Sequence, residues 1–199
     1  MMDDTGPSMS EALYERALKV LPGGVSRNTV LRSPHPVYAA HATGCHITDV
    51  DGVERIDFAN NMASLIHGHA HPAIVTAVAD QMARGTAYTL ATEAEIRYAE
   101  HLCSRNAGFD QLRFVNSGTE AVMATLKVSR AFTGRPKIAK VEGAYHGSYD
   151  FAEVSQTAAP ANWGGVDAPE SVPVAHGTPR GVLDDVVILP FNDVERAVQ

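Results

Sequence analysis

Apolar side chains recur at helical spacing near the start of the chain, where Leu13, Tyr14, Ala17, Leu18 and Leu21 share one stripe. Ser8 precedes the stripe as an N-cap with Glu11 in the box position, and Pro22, Gly23 and Gly24 end it, so the spacing predicts a helix over about 8–20. Over 37–58 the pattern shortens to strand-like runs. A turn at Asp49, Val50, Asp51 and Gly52 between Ile47 and Ile56 predicts a small β meander. Helical spacing returns at roughly 72–84 and 92–104, the second with Thr92 as cap and Glu95 as its box partner. An apolar strand at 111–115, a helix at 118–133 and a strand at 137–141 then read as one βαβ unit, which implies parallel strands and a right-handed crossover.

Residues 155–185 break the pattern. They contain Pro160, Pro169, Pro173 and Pro179 with Gly164, Gly165, Gly177 and Gly181, and they carry no period. Loops of this length are uncommon without a purpose, and two readings stand: a disordered surface excursion, or a flap or subunit contact near a site. A buried strand follows at 185–189. A helix then opens at Asn192 or Asp193, and its pattern of Val194, Ala197 and Val198 is still running at Gln199. The expectation is the N-terminal part of a longer polypeptide.

Chemistry concentrates where the 111–115 segment meets the following helix, QLRFVNSGTEA. Asn116, Ser117, Gly118 and Thr119 form the turn, and the first turn of a helix carries unpaired N–H donors and the positive end of the macrodipole. Such a mouth binds phosphate, with Gly118 allowing close backbone approach and Ser117 and Thr119 adding hydroxyls. Ser117 with Glu120 equally fits a capping box, which needs no ligand. Past the next strand come Glu142, Gly143, Ala144, Tyr145, His146 and Gly147. In open α/β sheets ligands bind outside the carboxyl ends of strands, so both segments would serve one crevice.

The formal net charge of -7 disfavours broad contact with nucleic acid or an anionic membrane. Any phosphate must therefore be held by local donors. The two cysteines, Cys45 and Cys103, have no metal-ligand spacing, the N-terminus lacks the features of a secretion signal, and no apolar run is long enough for a membrane helix. The expected location is the cytoplasm. His67, His69 and His71 alternate, which on an extended backbone would suggest zinc, but Gly68 points to a tight turn and Pro72 to a helix start, so no metal is assigned.

Seven pieces in the same order resemble the class III pyridoxal-phosphate aminotransferases, in the branch of glutamate-1-semialdehyde aminomutase and the β-amino-acid transaminases. They are LPGGV (21–25), ITDVDGVERIDF (47–58), GHAHP (68–72), NSGTEA (116–121), FTGRPKI (132–138), EGAYHG (142–147) and LPFND (189–193). The resemblance implies an α/β fold, the fold type I of pyridoxal-phosphate transferases. Residues 1–60 would contribute to the small domain, and 61–199 the first part of the large cofactor-binding domain with its mixed or parallel sheet.

It also implies pyridoxal 5'-phosphate as cofactor, with Ser117, Gly118 and Thr119 on the phosphate, Tyr145 stacked on the pyridine ring and His146 in a cofactor or structural role. Relatives place a substrate arginine after the Pro-Gly-Gly stop, and a guanidinium suits an amino-acid carboxylate, so Arg27, slightly ahead of Arg32, is the candidate. Asn61, Met62 and Ser64 are candidate pocket residues. Lys19, Lys127, Lys137 and Lys140 do not match the family's lysine motif. The Schiff-base lysine is expected beyond Gln199, and no catalytic residue is assigned within the chain. The implied activity is an aminotransferase or a 2,1-aminomutase working as a homodimer on an amino acid. The contrasting reading is a non-catalytic remnant that keeps the fold.

Overall fold

The computed structural model describes residues 7–165 and 168–198. Gln199, the end of the last predicted helix, lies outside them, as do Val166 and Asp167 of the proline-rich stretch. The chain forms two compact units, Met1–Thr92 and Glu93–Gln199.

In the first unit, α1 (Met9–Leu18) starts at the expected cap, with Ser8 Oγ accepting the Glu11 amide at 3.1 Å. A second cap comes from far along the chain. Asp51 Oδ1 accepts the Met9 N–H at 2.6 Å, and Oδ2 accepts the Ser10 N–H at 3.2 Å and the Ser10 hydroxyl at 2.6 Å. A carboxylate there also complements the positive end of the helix. Gly24, at φ +73°, lies so close to Tyr14 that a Cβ would overlap the ring, so the glycine stop folds back on the helix it ends.

The predicted meander forms as β1 (Ala39–Thr43), β2 (His46–Asp49) and β3 (Glu54–Ile56), antiparallel in the order β1-β2-β3. Its second turn is built on Asp49, whose Oδ1 accepts the Asp51 amide at 3.0 Å and the Val53 amide at 2.8 Å, while Oδ2 pairs with Arg55. The β1–β2 turn is fastened downstream, since Gly44 and His69 exchange backbone hydrogen bonds of 2.9 and 2.8 Å. Between these anchors lies a single turn, α2 (Asn60–Ala63), that the pattern did not predict; α3 (Pro72–Met82) follows with proline in its first turn.

The second unit opens with α4 (Glu93–Arg105), whose Tyr98 stacks on Phe114 with centroids 5.3 Å apart. Residues 111–115 do not form the predicted strand; among the described residues they pair with none. Their apolar pattern marks a segment suited to a sheet, but a strand also needs a neighbour to take up its backbone groups. After α5 (Gly118–Thr133), β4 (Ile138–Val141) pairs instead with β7 (Val186–Leu189), in parallel and in register from Ile138 opposite Val186 to Val141 opposite Leu189. The parallel crossover therefore runs through 142–185 and not through α5.

Among its described residues that crossover carries regular structure and buried contacts. It contains α6 (Asp150–Glu153), a ribbon of β5 (Gly164–Gly165) and β6 (Ala168–Pro169), and α7 (Arg180–Asp184). Val154 and Val182 from the crossover bury against Val186 and Ile188 of β7, with Ile138, Phe151 and Leu183 packed around them. Ser155, 1% exposed and at φ +56°, is the tie. Its hydroxyl donates to Glu170 O at 2.8 Å and accepts the Val172 amide at 2.9 Å, its N–H donates to Val172 O at 2.7 Å, and its carbonyl accepts the Gly143 amide at 2.9 Å. The final helix, α8 (Val194–Ala197), is capped by Asp193, which accepts the Arg196 amide at 3.0 Å. Among the described residues no helix is long and apolar enough to cross a membrane.

Two outcomes follow from these anchors. Hydrogen bonding to Arg55 holds the Asp49 carboxyl below its usual range, and hydrogen bonding to Ser10 does the same for Asp51. Both protonate more readily once unfolded, so their contribution is complete above the ordinary carboxylate pKa and is lost as pH falls through the lowered values. Asp51→Asn is expected to lower the denaturant midpoint at about pH 7 and to flatten its fall towards about pH 3. Ser155→Ala strands the part-buried Val172 amide and Glu170 carbonyl and keeps a left-handed backbone, and should cost about 1 kcal/mol in denaturant unfolding.

Candidate functional site

The mouth of α5 is assembled by its own sequence and by the loop after β4. Ser117 is extended (φ -151°, ψ 161°), and its Oγ accepts the Glu120 amide at 3.1 Å. Glu120 reaches back to the Asn116 amide at 2.5 Å, one residue before the position a capping box uses. The cap and an anion site are thus compatible. Capping occupies the Glu120 and Asn116 amides, while the Gly118 and Thr119 amides have no acceptor among the described residues. A Cβ at Gly118 would meet nothing within 4 Å, so the space beside that residue is open.

Gly147 closes the other side. At φ +93° it lies against the backbone and side chain of Thr119 so closely that any Cβ would overlap them, and Thr119 Oγ1 accepts the Ser148 amide at 3.3 Å. Gly147, the last residue of the YHG triplet, is thereby fixed beside the first turn of α5. Tyr145, 68% exposed, offers a free ring, while His146 lines a cavity of about 320 Å³ with Val122, Leu126, Lys140 and Phe151.

Lys140, a β4 residue, is the titratable group whose burial the sequence did not announce. It is 6% exposed, its Nζ donates to Val141 O at 3.2 Å, and burial pushes its pKa down. Lys137, at the edge, donates to Asp184 O at 3.0 Å.

In the first unit a different cluster forms around α2. Asn60, Asn61, Met62 and Ala63 have φ of +47°, +46°, +60° and +62°, one turn of left-handed helix closed by Ala63 N–H to Ala59 O at 3.2 Å and Ser64 N–H to Asn60 O at 3.0 Å. Each L-residue held this way costs on the order of 1–2 kcal/mol, somewhat less for asparagine. Asp57 helps to hold it, with Oδ1 accepting the Ala59 and Asn60 amides at 3.0 and 2.9 Å. Its Oδ2 lies 2.8 Å from His69 Nε2, and this contact first, then the Asn60 amide, keeps the Asp57 carboxyl below its usual range.

The turn contains Met62 and links three more of the five substrate candidates by hydrogen bonds. Arg27 Nη1 donates to Asn61 Oδ1 at 3.1 Å, Asn61 Nδ2 donates to Ser64 Oγ at 2.9 Å, and Ser64 Oγ donates to Asn61 O at 2.8 Å. Arg32 is not part of it; its Nη1 folds back on Thr29 O and Leu31 O at 3.0 and 2.7 Å. The alternating histidines do not share one side of an extended backbone, because Gly68 (φ +74°) and Ala70 (φ +51°) turn the chain. His67 and His71 approach each other with centroids 5.5 Å apart, and His69 serves Asp57. The sequence reading did not single out Asp57, although an Asp side chain commonly accepts the backbone amide two residues on, as Asp57 does from Ala59.

The profile of the family described as Aminotransferase class-III matches residues 29–173. Glutamate-1-semialdehyde 2,1-aminomutase of Methanothermobacter thermautotrophicus is 44% identical over 186 residues, covering 94% of this chain and 42% of that protein. Among solved structures, an omega-transaminase from Sphaerobacter thermophilus superposes with a TM-score of 0.90 at 53% identity, over 94% of this chain and 43% of that one. A transaminase with PLP bound gives a TM-score of 0.85 at 48% identity, over 94% and 42%. The chain thus spans less than half the length of these relatives. With its α/β architecture and this likeness over most of its residues, it belongs to the class-III aminotransferase family.

Proposed function

We propose that this chain is the cofactor-cradling part of a pyridoxal-phosphate-dependent aminotransferase, a cytoplasmic homodimer that takes its amino group from an α- or β-amino acid. In this reading residues 1–60 contribute to the small domain and 61–199 begin the large one. The observation that carries it is the α5 mouth, where two free amides, an open space above Gly118 and an exposed tyrosine ring adjoin. A phosphate ester and a flat heteroaromatic ring fit that donor set. When bound, the cofactor supplies an electron sink for the carbon bearing the substrate nitrogen.

The residues of this chain bind and orient. Gly118 and Thr119 donate amide N–H groups to phosphate oxygens, and the Ser117 hydroxyl, accepting the Glu120 amide, keeps its own proton free to donate. Tyr145, with His146 next to it in sequence, would stack on the ring and keep water from it. Arg27 is the partner for the substrate carboxylate, supported by its link to Asn61 and Ser64, whereas Arg32 is consumed by its own backbone. No proton transfer is assigned to Lys140, whose Nζ is turned to a carbonyl.

A 2,1-aminomutase of the glutamate-1-semialdehyde type is the second reading, favoured by the identity to the archaeal relative. The two separate on one requirement, since transamination consumes a keto acid and the internal shift does not.

Incubated with pyridoxal phosphate, the full-length protein is expected to show a visible absorbance band that borohydride abolishes, leaving an adduct on a lysine outside residues 1–199. An adduct on Lys140, or a colourless protein, would count against the assignment. Tyr145→Ala should weaken cofactor binding about tenfold by titration of that band. Gly147→Val, which drives a side chain into Thr119, should weaken it at least as much. Light scattering should report twice the monomer mass.

A further inference from the structure

We infer that Asn61 is a positioning residue for substrate choice: the left-handed turn of α2 presents its amide to Arg27 and so holds the guanidinium ready for a carboxylate. The inference rests on Arg27 being the carboxylate partner, and it adds why that arginine, on an exposed stretch, would have a defined direction.

A long charged side chain free in solvent loses rotamer entropy when it binds, and a ligand must supply that loss. Here part of it is already lost. Arg27 Nη1 donates to Asn61 Oδ1 at 3.1 Å, and Asn61 cannot swing away, because its Nδ2 is held by Ser64 Oγ at 2.9 Å and its carbonyl by the Ser64 hydroxyl at 2.8 Å. Ser64 is in turn fixed by its own amide to Asn60 O at 3.0 Å. The backbone under Asn61 is at φ +46° and ψ 53°, a region L-residues avoid unless the surroundings insist.

The surroundings insist through Asp57, which accepts the Ala59 and Asn60 amides and is itself met by His69, while His69 is tied to Gly44 by two backbone bonds. The acceptor offered to Arg27 is neutral. A carboxamide oxygen orients the guanidinium and leaves its positive charge uncancelled, together with N–H donors for a second partner. An aspartate in that place would satisfy the charge and compete with a substrate carboxylate.

The test uses the full-length holoenzyme and two amino donors of one carbon skeleton, a β-amino acid and the primary amine lacking its carboxylate. In Asn61→Gly, which adopts the left-handed turn without strain but lacks the amide, the ratio of KM for the amino acid to KM for the amine is expected to rise about tenfold. In Asn61→Asp the ratio should rise further, although that residue also tolerates the turn. A purely structural asparagine predicts the opposite order, with Asp close to the parent and the Gly loss falling equally on both donors; either result overturns the inference. Arg27→Ala serves as the reference. If it leaves the ratio unmoved, the reading of Arg27 is what fails, and if the parent protein shows no cofactor band, the proposed function fails before Asn61 is reached.

Discussion

The missing side chain at residue 147 lets the loop after β4 lie directly on Thr119, and the proposed α5 site depends on that approach. With it, the loop that follows β4 and carries Tyr145 touches the first turn of α5 at Gly147 and Ser148. The Ser148 amide, bonded to Thr119 Oγ1, adds a directional term to what is otherwise a steric fit. The loop is held from its other end as well, where Gly143 donates to the buried carbonyl of Ser155.

The two units use one device at different places. A short side chain with oxygen acceptors sits under a turn or at a helix start and takes up amides that no regular ladder could reach. Asp49 does this for the β2–β3 turn, Asp51 for the start of α1, Asp57 for the left-handed turn, and Ser155 for the long crossover. Each such bond is worth little net in water, but an amide left without a partner in the same place costs more. The strain of α2 can persist only because several of these bonds agree on it.

The reading of the long proline-rich crossover shows how far pattern carries. Its lack of period was real, for its regular elements are two to five residues long. Order came instead from a few burials, Val154 and Val182 against β7, and from one serine.

Much of the local structure was legible in the chain. Ser8, Asp193 and Ser117 each cap the helix expected of them, the Asp49–Gly52 turn sits between its strands, and seven short pieces in one order pointed to the family, because caps, turns and contiguous motifs are written within a few residues. Distances along the sequence were not. That β4 would pair with Val186–Leu189 and leave 111–115 unpaired, that Arg27 would meet Asn61 while Arg32 folded on itself, and that Lys140 would be buried all depend on which distant segment arrives to supply a hydrogen bond or exclude water. Periodicity states what a segment is suited to bury or pair; only the assembled fold decides what it meets.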